Sequence, residues 1–508
     1  MKKSTVILWM FIIVKLVAHY FLINPAYDLH RDEYLHLDQA KHLAWGFESV
    51  PPFTSWISLI ILYLGDGVFW IKFFPALFGA LTIAVVWKSV EALKGNLFAM
   101  ILSATAILFS VILRLNILYQ PNSFDVLCWT TFYFTIIKYI NSQHRKWLYY
   151  AAVVIAIGFL NKYNILFLVM GMLPALLLTE HRKILLRKQF YFALGIALLI
   201  VLPNLVWQYR HGFPVVHHMK TLADTQLVNV NRSDFLKEQV LYFLGSLYIL
   251  IAAFYAFLFY PPFKQYRLFG WSFLFSLLIF IFLKAKGYYA IGLYPIFISF
   301  GAVYLEQAWK SGWKFYLRPV AILVILVVFI PMLKLAFPLV PPADIQRNEK
   351  ALKDFGMLRW EDGKDHALPQ DFADMRGWKE LAHKTDSIFA SLNAPENTLV
   401  LCDNYGQAGA INYYSKYKDI QAVSMNADYI NWFPLQKEIK HVVLVQESSD
   451  DDPGRKRERT LFKSVLLAGQ IEDQYAREYG TKIYLLKDAL TSINKILEDE
   501  IAKEKMNQ

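Results

Sequence analysis

A cluster of charged and histidine side chains follows the first apolar segment of the chain. The stretch Asp28–Gly46 contains Arg31, the adjacent carboxylates Asp32 and Glu33, and His42. Charge beside a membrane costs free energy unless water, a partner or a substrate uses it. Adjacent carboxylates in such a place are candidates for acid–base chemistry. The pair Asp32–Glu33 is therefore the first candidate for catalysis.

The same residues also have a structural interpretation. If residues 32–46 form a helix, Asp32 at its start would act as the N-cap. Glu33, His36 and Leu37 would then share one face of that helix. Spacing alone leaves the capping role and the catalytic role of Asp32 equally open.

A second carboxylate, Asp125, lies just inside a predicted membrane span. It follows the polar stretch 116–123, which includes two asparagines and a glutamine. An unpaired aspartate there would be costly, so it must pair with a base or face an aqueous cavity. We favour a functional role.

Lysines and aromatic residues form two further groups at predicted span ends. Lys162 and Tyr163 lie between two asparagines, and Lys284 and Lys286 precede Tyr288 and Tyr289. Ammonium groups bind phosphate, and aromatic rings sit at headgroup depth, so these groups suit a lipid-linked phosphate. Ordinary snorkelling and interfacial anchoring of lysines remain the alternative.

The elements that must position these side chains are apolar segments. The 508 residues are 56% hydrophobic and 16% aromatic, and apolar runs long enough to cross about 30 Å of hydrocarbon recur up to residue 338. We predict a polytopic α-helical membrane protein with about eleven spans, near 5–23, 68–87, 96–113, 123–140, 147–160, 163–179, 190–207, 238–260, 267–283, 288–305 and 316–338. The segment 51–64 is too short to cross and is predicted to be a re-entrant or interfacial helix that begins after Pro51-Pro52.

Charge distribution predicts the orientation. Lysines and arginines concentrate in alternate loops, so the net charge of +11 is typical of cytoplasmic loops and does not indicate a nucleic-acid partner. The loop 24–66 and everything after residue 340 then lie outside the cytoplasm. This predicts a multi-pass membrane protein whose acidic loop faces the extracytoplasmic side.

The composition changes at residue 341, where charged residues become frequent. Residues 341–508 are predicted to form a soluble periplasmic α/β domain behind a membrane domain of residues 1–340. Its expected strands are 397–402, 440–445 and 482–486, and its expected helices are 376–392 and 405–416. The loop Tyr405–Gly409 is interpreted as structural or as a docking site for the acceptor.

The ordered set of polar motifs resembles the GT-C integral-membrane glycosyltransferases, and more narrowly bacterial members of glycosyltransferase family 39. These are related to protein O-mannosyltransferases and to the aminoarabinose transferase of lipid A. The motifs that carry the resemblance are Arg31–Tyr34, His42–Gly46, Pro51-Pro52, Phe124–Trp129, Gly158–Tyr163, Pro203–Gln208, Lys286–Tyr289, Leu293–Pro295 and Asp403–Ala410. The resemblance covers most of the chain.

The resemblance implies transfer of a sugar from a polyprenyl-phosphate donor to a lipid, glycan or protein hydroxyl, with inversion. It implies that Asp32 is the base, that Glu33 orients it, and that Asp125 is a second acidic residue near the reaction centre. The implied donor-phosphate ligands are Lys162, Lys284, Lys286, Tyr288 and Tyr289. The implied substrate-binding residues are Arg31, Tyr34, His42, Tyr163 and Asn204.

An activated donor makes a cofactor unnecessary, so we predict none; a divalent cation held by the acidic pair is not favoured. No nucleotide-binding motif is present in the sequence. The main alternative from another class is a transporter or flippase of lipid-linked saccharides. Such a protein would place charges at the bilayer midplane and often contain repeated halves, whereas the charges here cluster at span ends.

Overall fold

The computed structural model describes residues 2–392, 395–449, 452 and 454–507. A helical part up to residue 336 is followed by a mixed α/β part. The α-helices of the first part are α1 (Lys3–Phe21), α2 (Arg31–Asp38), α3 (Phe53–Tyr63), α4 (Val68–Ala92), α5 (Leu97–Leu108), α6 (Val111–Leu115), α7 (Asn122–Ser142), α8 (Lys146–Asn161), α9 (Ile165–Leu177), α10 (Lys188–Arg210), α11 (Pro214–Thr225), α12 (Arg232–Leu241), α13 (Leu247–Phe259), α14 (Arg267–Phe282), α15 (Tyr294–Ala308) and α16 (Leu317–Ala336).

The predicted membrane segments are helical, which confirms the polytopic helical class. Over the described residues, six helices are long and apolar enough to cross a membrane, or up to eight if two bent pairs each form one span. One bent pair is α9 with the 3₁₀ turn after it, and the other contains α12 and α13. The count of eleven is not confirmed, because α5 and α8 measure only about 18 and 24 Å at 1.5 Å per residue. The short helix expected at 51–64 is α3, with Pro52 at its N-cap.

The second part contains a five-stranded sheet and short helices. Its elements are α17 (Pro342–Gln346), α18 (Glu349–Asp354), α19 (Gln370–Ala373), α20 (Trp378–Ala390), β1 (Thr398–Cys402), α21 (Tyr405–Tyr414), β2 (Ala422–Ser424), β3 (His441–Gln446), α22 (Glu458–Leu461), β4 (Phe462–Gln470), β5 (Lys482–Ala489) and α23 (Ile493–Asn507). The three predicted strands are confirmed as β1, β3 and β5, while β2 and β4 were not predicted. The strand order is β2-β1-β3-β5-β4, with β1 parallel to both of its neighbours and β5 antiparallel to both of its own.

The two faces of this sheet bury different partners, because successive strand side chains point in opposite directions. On β1, Val400 and Cys402 face a core that contains α20, α21 and residues of the loop between α1 and α4. Leu399 faces the opposite core, which α23 closes with Ile493 and Leu497. One face of the sheet is therefore joined to the loop that carries the acidic pair.

The joint between the two parts is formed by α2 and α21. A Cβ added to Gly409 of α21 would lie 2.6 Å from the Cβ of Tyr34 on α2, so only glycine allows this approach. Tyr34 is fully buried there against Trp378 and Tyr414. This close contact brings the start of α21 beside the start of α2.

Candidate active site

The helix that carries the acidic pair begins one residue earlier than predicted. Its N-cap is His30, whose Nδ1 accepts a hydrogen bond from the Asp32 backbone N–H at 3.2 Å. The Glu33 carboxylate in turn accepts from the His30 backbone N–H at 2.7 Å. The prediction that Asp32 caps the helix is therefore wrong, because His30 fills that position and leaves the Asp32 carboxylate free of it. The helix is also shorter than 32–46, since α2 ends at Asp38 and a 3₁₀ turn over Gln39–Lys41 follows.

Glu33 is fully buried and fully engaged. Lys72 Nζ donates to both carboxylate oxygens, at 2.5 and 2.8 Å, and the Tyr119 backbone N–H donates to Oε1 at 2.6 Å. With the bond from His30, this makes four accepted hydrogen bonds, about the capacity of one carboxylate. Glu33 thus fixes α2 against α4 and the segment before α7, and it has no lone pair left for a substrate.

Asp32 has the opposite surroundings. Its side chain is 35% exposed. Tyr405 donates to Oδ1 at 2.6 Å and Gln120 donates to Oδ2 at 2.9 Å. Desolvation raises the pKa of the Asp32 carboxyl, but His30, Arg31 and the Tyr405 hydrogen bond outweigh it and lower the pKa to about 2. Asp32 is therefore an ionised carboxylate with lone pairs to spare.

Arg31 stacks on the Tyr405 ring rather than pointing into open solvent. Its guanidinium carbon lies 4.4 Å from the ring centroid, a cation–π distance. Burial opposes the charged form, yet Tyr405, Asp374 and Asp32 raise the pKa of Arg31. The positive charge beside Asp32 is thus permanent.

A chain of amides joins Asp32 to Lys162. Lys162 Nζ donates to Asn122 Oδ1 at 2.6 Å, Asn122 Nδ2 donates to Gln120 Oε1 at 2.9 Å, and Gln120 Nε2 donates to Asp32 Oδ2 at 2.9 Å. Every donor points from the ammonium towards the carboxylate, so the amide dipoles align and polarise one another. All four side chains are half-buried, so this chain of hydrogen bonds is accessible to solvent along its length.

Two tyrosines from a distant segment form the wall beside Lys162. Its Nζ lies 4.5 Å from the ring centroid of Tyr289 and 5.2 Å from that of Tyr288. Both tyrosines belong to a 3₁₀ turn over Gly287–Leu293 that precedes α15. The structure thus brings together three of the five residues predicted to hold a phosphate.

Asp125 is buried at the start of α7 and is paired with neutral donors. Its oxygens accept from Trp129 Nε1 at 2.9 Å and Asn164 Nδ2 at 2.8 Å. The same Asn164 amide donates to the Tyr289 carbonyl oxygen at 3.0 Å. Asp125 therefore holds the tyrosine turn in place through Asn164, and its carboxylate interacts electrostatically with Lys162 without a direct hydrogen bond.

The other two predicted phosphate ligands are placed differently. Lys286 is ion-paired with Glu361, from the segment between α18 and α19, and donates to Gln226 at 2.6 Å. Desolvation raises the pKa of the Glu361 carboxyl, but Lys286 reverses this and lowers it. Lys284 follows α14 with a left-handed backbone (φ 52°), and its ammonium has no hydrogen bond or ion pair with any described residue.

The remaining predicted substrate-binding residues lie in a separate group or in the joint between the two parts. The Tyr163 hydroxyl bonds Asn204 Oδ1 at 3.1 Å, and Asn204 Nδ2 donates to the Trp45 carbonyl at 2.6 Å. His42 stacks on Trp432 with ring centroids 4.2 Å apart. Tyr34 is enclosed by the joint described above and has no exposed surface.

Within the described ranges, no three histidine, cysteine, aspartate or glutamate side chains converge in a way that could hold a metal ion. A cavity of about 390 Å³ lies between the two parts, lined by residues that include Asp28, Lys72, Lys379 and Tyr414. Neither Asp32 nor Lys162 lines it.

Sequence reasoning missed four contributors: Gln120, Asn122, Tyr405 and Glu361. Gln120 and Asn122 lie in the polar stretch before Asp125, and their density there was the available signal. Tyr405 follows a predicted strand, but nothing local indicates that it reaches Asp32. Glu361 lies in a charged segment without a recognisable pattern.

Known proteins resemble the chain at several levels. The model of the dolichyl-phosphate-mannose-protein mannosyltransferase family matches residues 49–207. The lipid A galacturonosyltransferase RgtD of Rhizobium johnstonii is 25% identical over 211 residues, which are 41% of this chain and 44% of that protein. The match thus spans less than half the length of this curated relative.

Solved structures match over almost the whole chain. The crystal structure of ArnT from Cupriavidus metallidurans bound to undecaprenyl phosphate gives a TM-score of 0.62 at 13% identity and covers 96% of this chain and 98% of that one. The apo structure of the same protein gives 0.60 at 14% identity, covering 95% and 98%. At this identity the likeness shows the fold, including the α/β part. The chain is therefore similar to the mannosyltransferase family in its N-terminal region and shares the fold of ArnT throughout.

Proposed function

We propose that the protein transfers a sugar from a polyprenyl-phosphate donor to a hydroxyl group of a membrane-associated acceptor. Asp32 acts as the base, and Lys162 with Tyr288 and Tyr289 receives the donor phosphate. The reaction takes place on the periplasmic side of a bacterial inner membrane, where the positive-inside pattern puts the first loop.

The observation that carries this proposal is the accessible amide chain from Lys162 to Asp32. Group transfer from a lipid phosphate needs a cation at the leaving group and a base at the nucleophile, held at a fixed separation. The chain supplies both charges at its two ends, and the neutral amides between them keep the charges from collapsing into an ion pair. An ordinary interfacial lysine would not need such a connection to a carboxylate.

The proposed step is a single displacement. The acceptor oxygen attacks the anomeric carbon, the bond from that carbon to the phosphate oxygen breaks, and the hydroxyl proton passes to Asp32. The polyprenyl phosphate leaves with the electron pair, so the anomeric configuration inverts. A carboxylate with a pKa of about 2 suffices, because the attacking hydroxyl becomes strongly acidic as its oxygen bonds to an oxocarbenium-like carbon.

Lys162 would stabilise the charge that grows on the leaving phosphate. Its only side-chain hydrogen-bond acceptor within the described part of the chain is the neutral Asn122. An ammonium bonded to an amide keeps two donors for an anion. The tyrosine rings beside it limit access of water, which strengthens that electrostatic attraction.

The comparisons support a lipid-linked donor. ArnT was crystallised with undecaprenyl phosphate, and the matching family is described by a dolichyl-phosphate sugar; both are polyprenyl phosphates. The described acceptors differ, since RgtD is a lipid A galacturonosyltransferase and the family transfers to protein. We therefore propose a lipid, glycan or protein hydroxyl as the acceptor class. We propose no cofactor.

The decisive experiment uses full-length protein in proteoliposomes. Undecaprenyl-phosphate sugars are supplied as a panel together with lipid A, peptide and glycan acceptors, and transfer is followed by mass spectrometry. At least one donor should be consumed by wild type and not by Asp32→Asn, and nuclear magnetic resonance of the product should reveal an inverted anomeric centre. Equal transfer by the two proteins would overturn the role of Asp32.

The alternative of a flippase for lipid-linked saccharides predicts a different result. Labelled lipid-linked sugar would then change leaflet in a protein-dependent way, without any transfer to an acceptor. Measuring leaflet exchange in the same proteoliposomes separates the two functions. Leaflet exchange without sugar transfer would overturn the proposed transferase activity and support transport of the lipid-linked sugar.

A further inference from the structure

One of the two side chains that donate a hydrogen bond to Asp32 belongs to the α/β part. The Tyr405 hydroxyl donates to Asp32 Oδ1 at 2.6 Å, although 373 residues separate the two. It is the short, charge-assisted type of hydrogen bond. The α/β part therefore touches the proposed base directly.

The backbone around Tyr405 is fixed by the sheet. Tyr405 is the first residue of α21, and only Asp403 and Asn404 separate it from β1. Asn404 caps the helix by accepting from the Gln407 backbone N–H at 3.1 Å. A residue between a central parallel strand and a capped helix has little freedom to move.

The Tyr405 ring is fixed from the other side. The Arg31 guanidinium lies over its face at 4.4 Å, and a Cβ added to the neighbouring Gly406 would lie only 3.2 Å from the Arg31 Cβ. Ring and backbone together therefore aim the hydroxyl at one carboxylate oxygen. Burial and the charge of Asp32 raise the pKa of Tyr405, so the phenol remains protonated and can donate.

We propose that Tyr405 is a positioning residue for Asp32, and that the α/β part thereby completes the active site. The proposal rests on the function proposed above, in which Asp32 is the base. Tyr405 holds Oδ1 while Gln120 holds Oδ2. A carboxylate accepts about four hydrogen bonds, so the clamp leaves lone pairs for the acceptor hydroxyl in one defined direction.

The clamp has an electrical effect besides the geometrical one. Hydrogen bonds to the ionised form favour that form, and Tyr405 is among the groups that lower the pKa of Asp32 to about 2. Without the hydroxyl, the carboxylate would rotate more freely and bind a proton more readily. The first change reduces the fraction of molecules with a correctly oriented carboxylate at any pH, and the second reduces the ionised fraction in strongly acidic buffer.

The test replaces the hydroxyl and keeps the ring. In Tyr405→Phe, Arg31 retains its aromatic partner, so folding should persist. We expect kcat of the full-length enzyme to fall about 10- to 100-fold, the loss of a charge-assisted hydrogen bond, with the donor KM changed by less than about twofold. The matched control is Tyr413→Phe on the same helix, whose hydroxyl bonds the Asp66 carbonyl oxygen at 3.0 Å instead of Asp32.

A pH profile separates positioning from simple stabilisation of the joint. Losing the donor raises the pKa of Asp32, so the acid limb of kcat should move to higher pH in Tyr405→Phe. Because the pKa of Asp32 is about 2, the shift shows only in strongly acidic buffer: the ratio of the rate at pH 3 to that at pH 7.5 should be lower in this variant than in wild type and in Tyr413→Phe. Melting temperatures of both variants report whether the fold is intact.

Each result bears on one of the two proposals. If wild type transfers sugar and Asp32→Asn does not, the proposed function stands, and a wild-type kcat and pH profile in Tyr405→Phe would overturn the positioning role. If both tyrosine variants lose activity equally with unshifted pH profiles, the α/β part is only a structural support and the positioning role is again overturned. If wild type itself transfers nothing, the failure lies in the proposed function.

Discussion

The two faces of α2 contain neighbouring carboxylates that differ in everything except type. On the inner face, Glu33 accepts four hydrogen bonds and has no exposure. On the outer face, Asp32 is held by two donors and remains 35% exposed. The difference teaches that the two carboxylates of an adjacent acidic pair can have separate roles: one fixes the helix, so that the other is held in place and free to react.

The largest effect is expected on the outer face. Asp32→Asn should lower the transfer rate about 10²- to 10⁴-fold, the usual contribution of a general base, because an amide cannot take the proton. The melting temperature should fall only slightly, since the amide oxygen still accepts from Tyr405 and only the hydrogen bond from Gln120 is lost to the new NH₂ group. Single-turnover kinetics measure the transfer rate, and melting curves measure the stability. A transfer rate within tenfold of wild type would mean that Asp32 is no more involved in the reaction than Glu33.

On the inner face, substitution of Glu33 should lower the stability of the fold. Glu33→Gln leaves Lys72 as a buried charge without its counter-ion, which costs about 3–5 kcal/mol of unfolding free energy. Adding Lys72→Met should recover part of this loss, because the uncompensated charge is removed with its partner. Chemical unfolding of the two single variants and the double variant gives the coupling; additive losses would contradict a paired inner face.

Lys162 and Lys286 differ in the same way, because one lysine forms an ion pair within the described part of the chain and the other does not. Lys162 is bonded to a neutral amide, whereas Lys286 is ion-paired with Glu361. Lys162→Met should therefore lower kcat/KM for the donor about 100-fold, comparable to the loss of one preorganised donor, and Lys286→Met by about tenfold or less. Steady-state kinetics with a polyprenyl-phosphate sugar would rank them, and a larger loss at Lys286 would reverse the assignment.

The smallest effect is the pH dependence of stability that comes from Asp428, which contacts the same loop after α2. Asp428 of the α/β part accepts from Gln39 and from the Glu48 backbone, and desolvation raises the pKa of its carboxyl to about 6. The folded state thus favours the protonated acid, so this contribution to stability is complete below pH 3.8 and is lost as the pH rises through about 6. The loss approaches 1.4 kcal/mol per pH unit.

Asp428→Asn should remove this dependence. Between pH 4 and 7 the melting temperature of the variant should fall less than that of wild type. Parallel curves for the two proteins would mean that Asp428 does not report on the joint between α2 and the α/β part.

The fold was largely predictable because spanning segments and buried strands leave continuous apolar runs. The exception is β4 (Phe462–Gln470), in which only Phe462 and Val465 are buried and the apolar run is just the four residues 465–468. The three-residue β2 is too short to leave any pattern. The span count was not predictable, because helices such as α8 are apolar but shorter than the hydrocarbon layer.

The ingredients of the site were visible, whereas their partners were not. Asp32, Asp125 and Lys162 stand out because charge is costly beside apolar segments. The contact of Tyr405 with Asp32 spans 373 residues, and that of Glu361 with Lys286 spans 75. Single-sequence periodicity describes local structure only, so which lysine is free and which is already paired depends on tertiary folding.

The shared core of the first loop and the sheet has a consequence for biosynthesis. Leu29, Tyr34 and Leu37 are buried together with residues as far along the chain as Leu485, which leave the ribosome much later. At about 5–20 residues per second, the interval between Asp32 and Tyr405 alone is roughly 20–75 s. For that time a newly inserted loop exposes apolar side chains and a carboxylate that lacks its hydrogen bond from Tyr405, so the loop cannot take its final structure until the sheet has been synthesised.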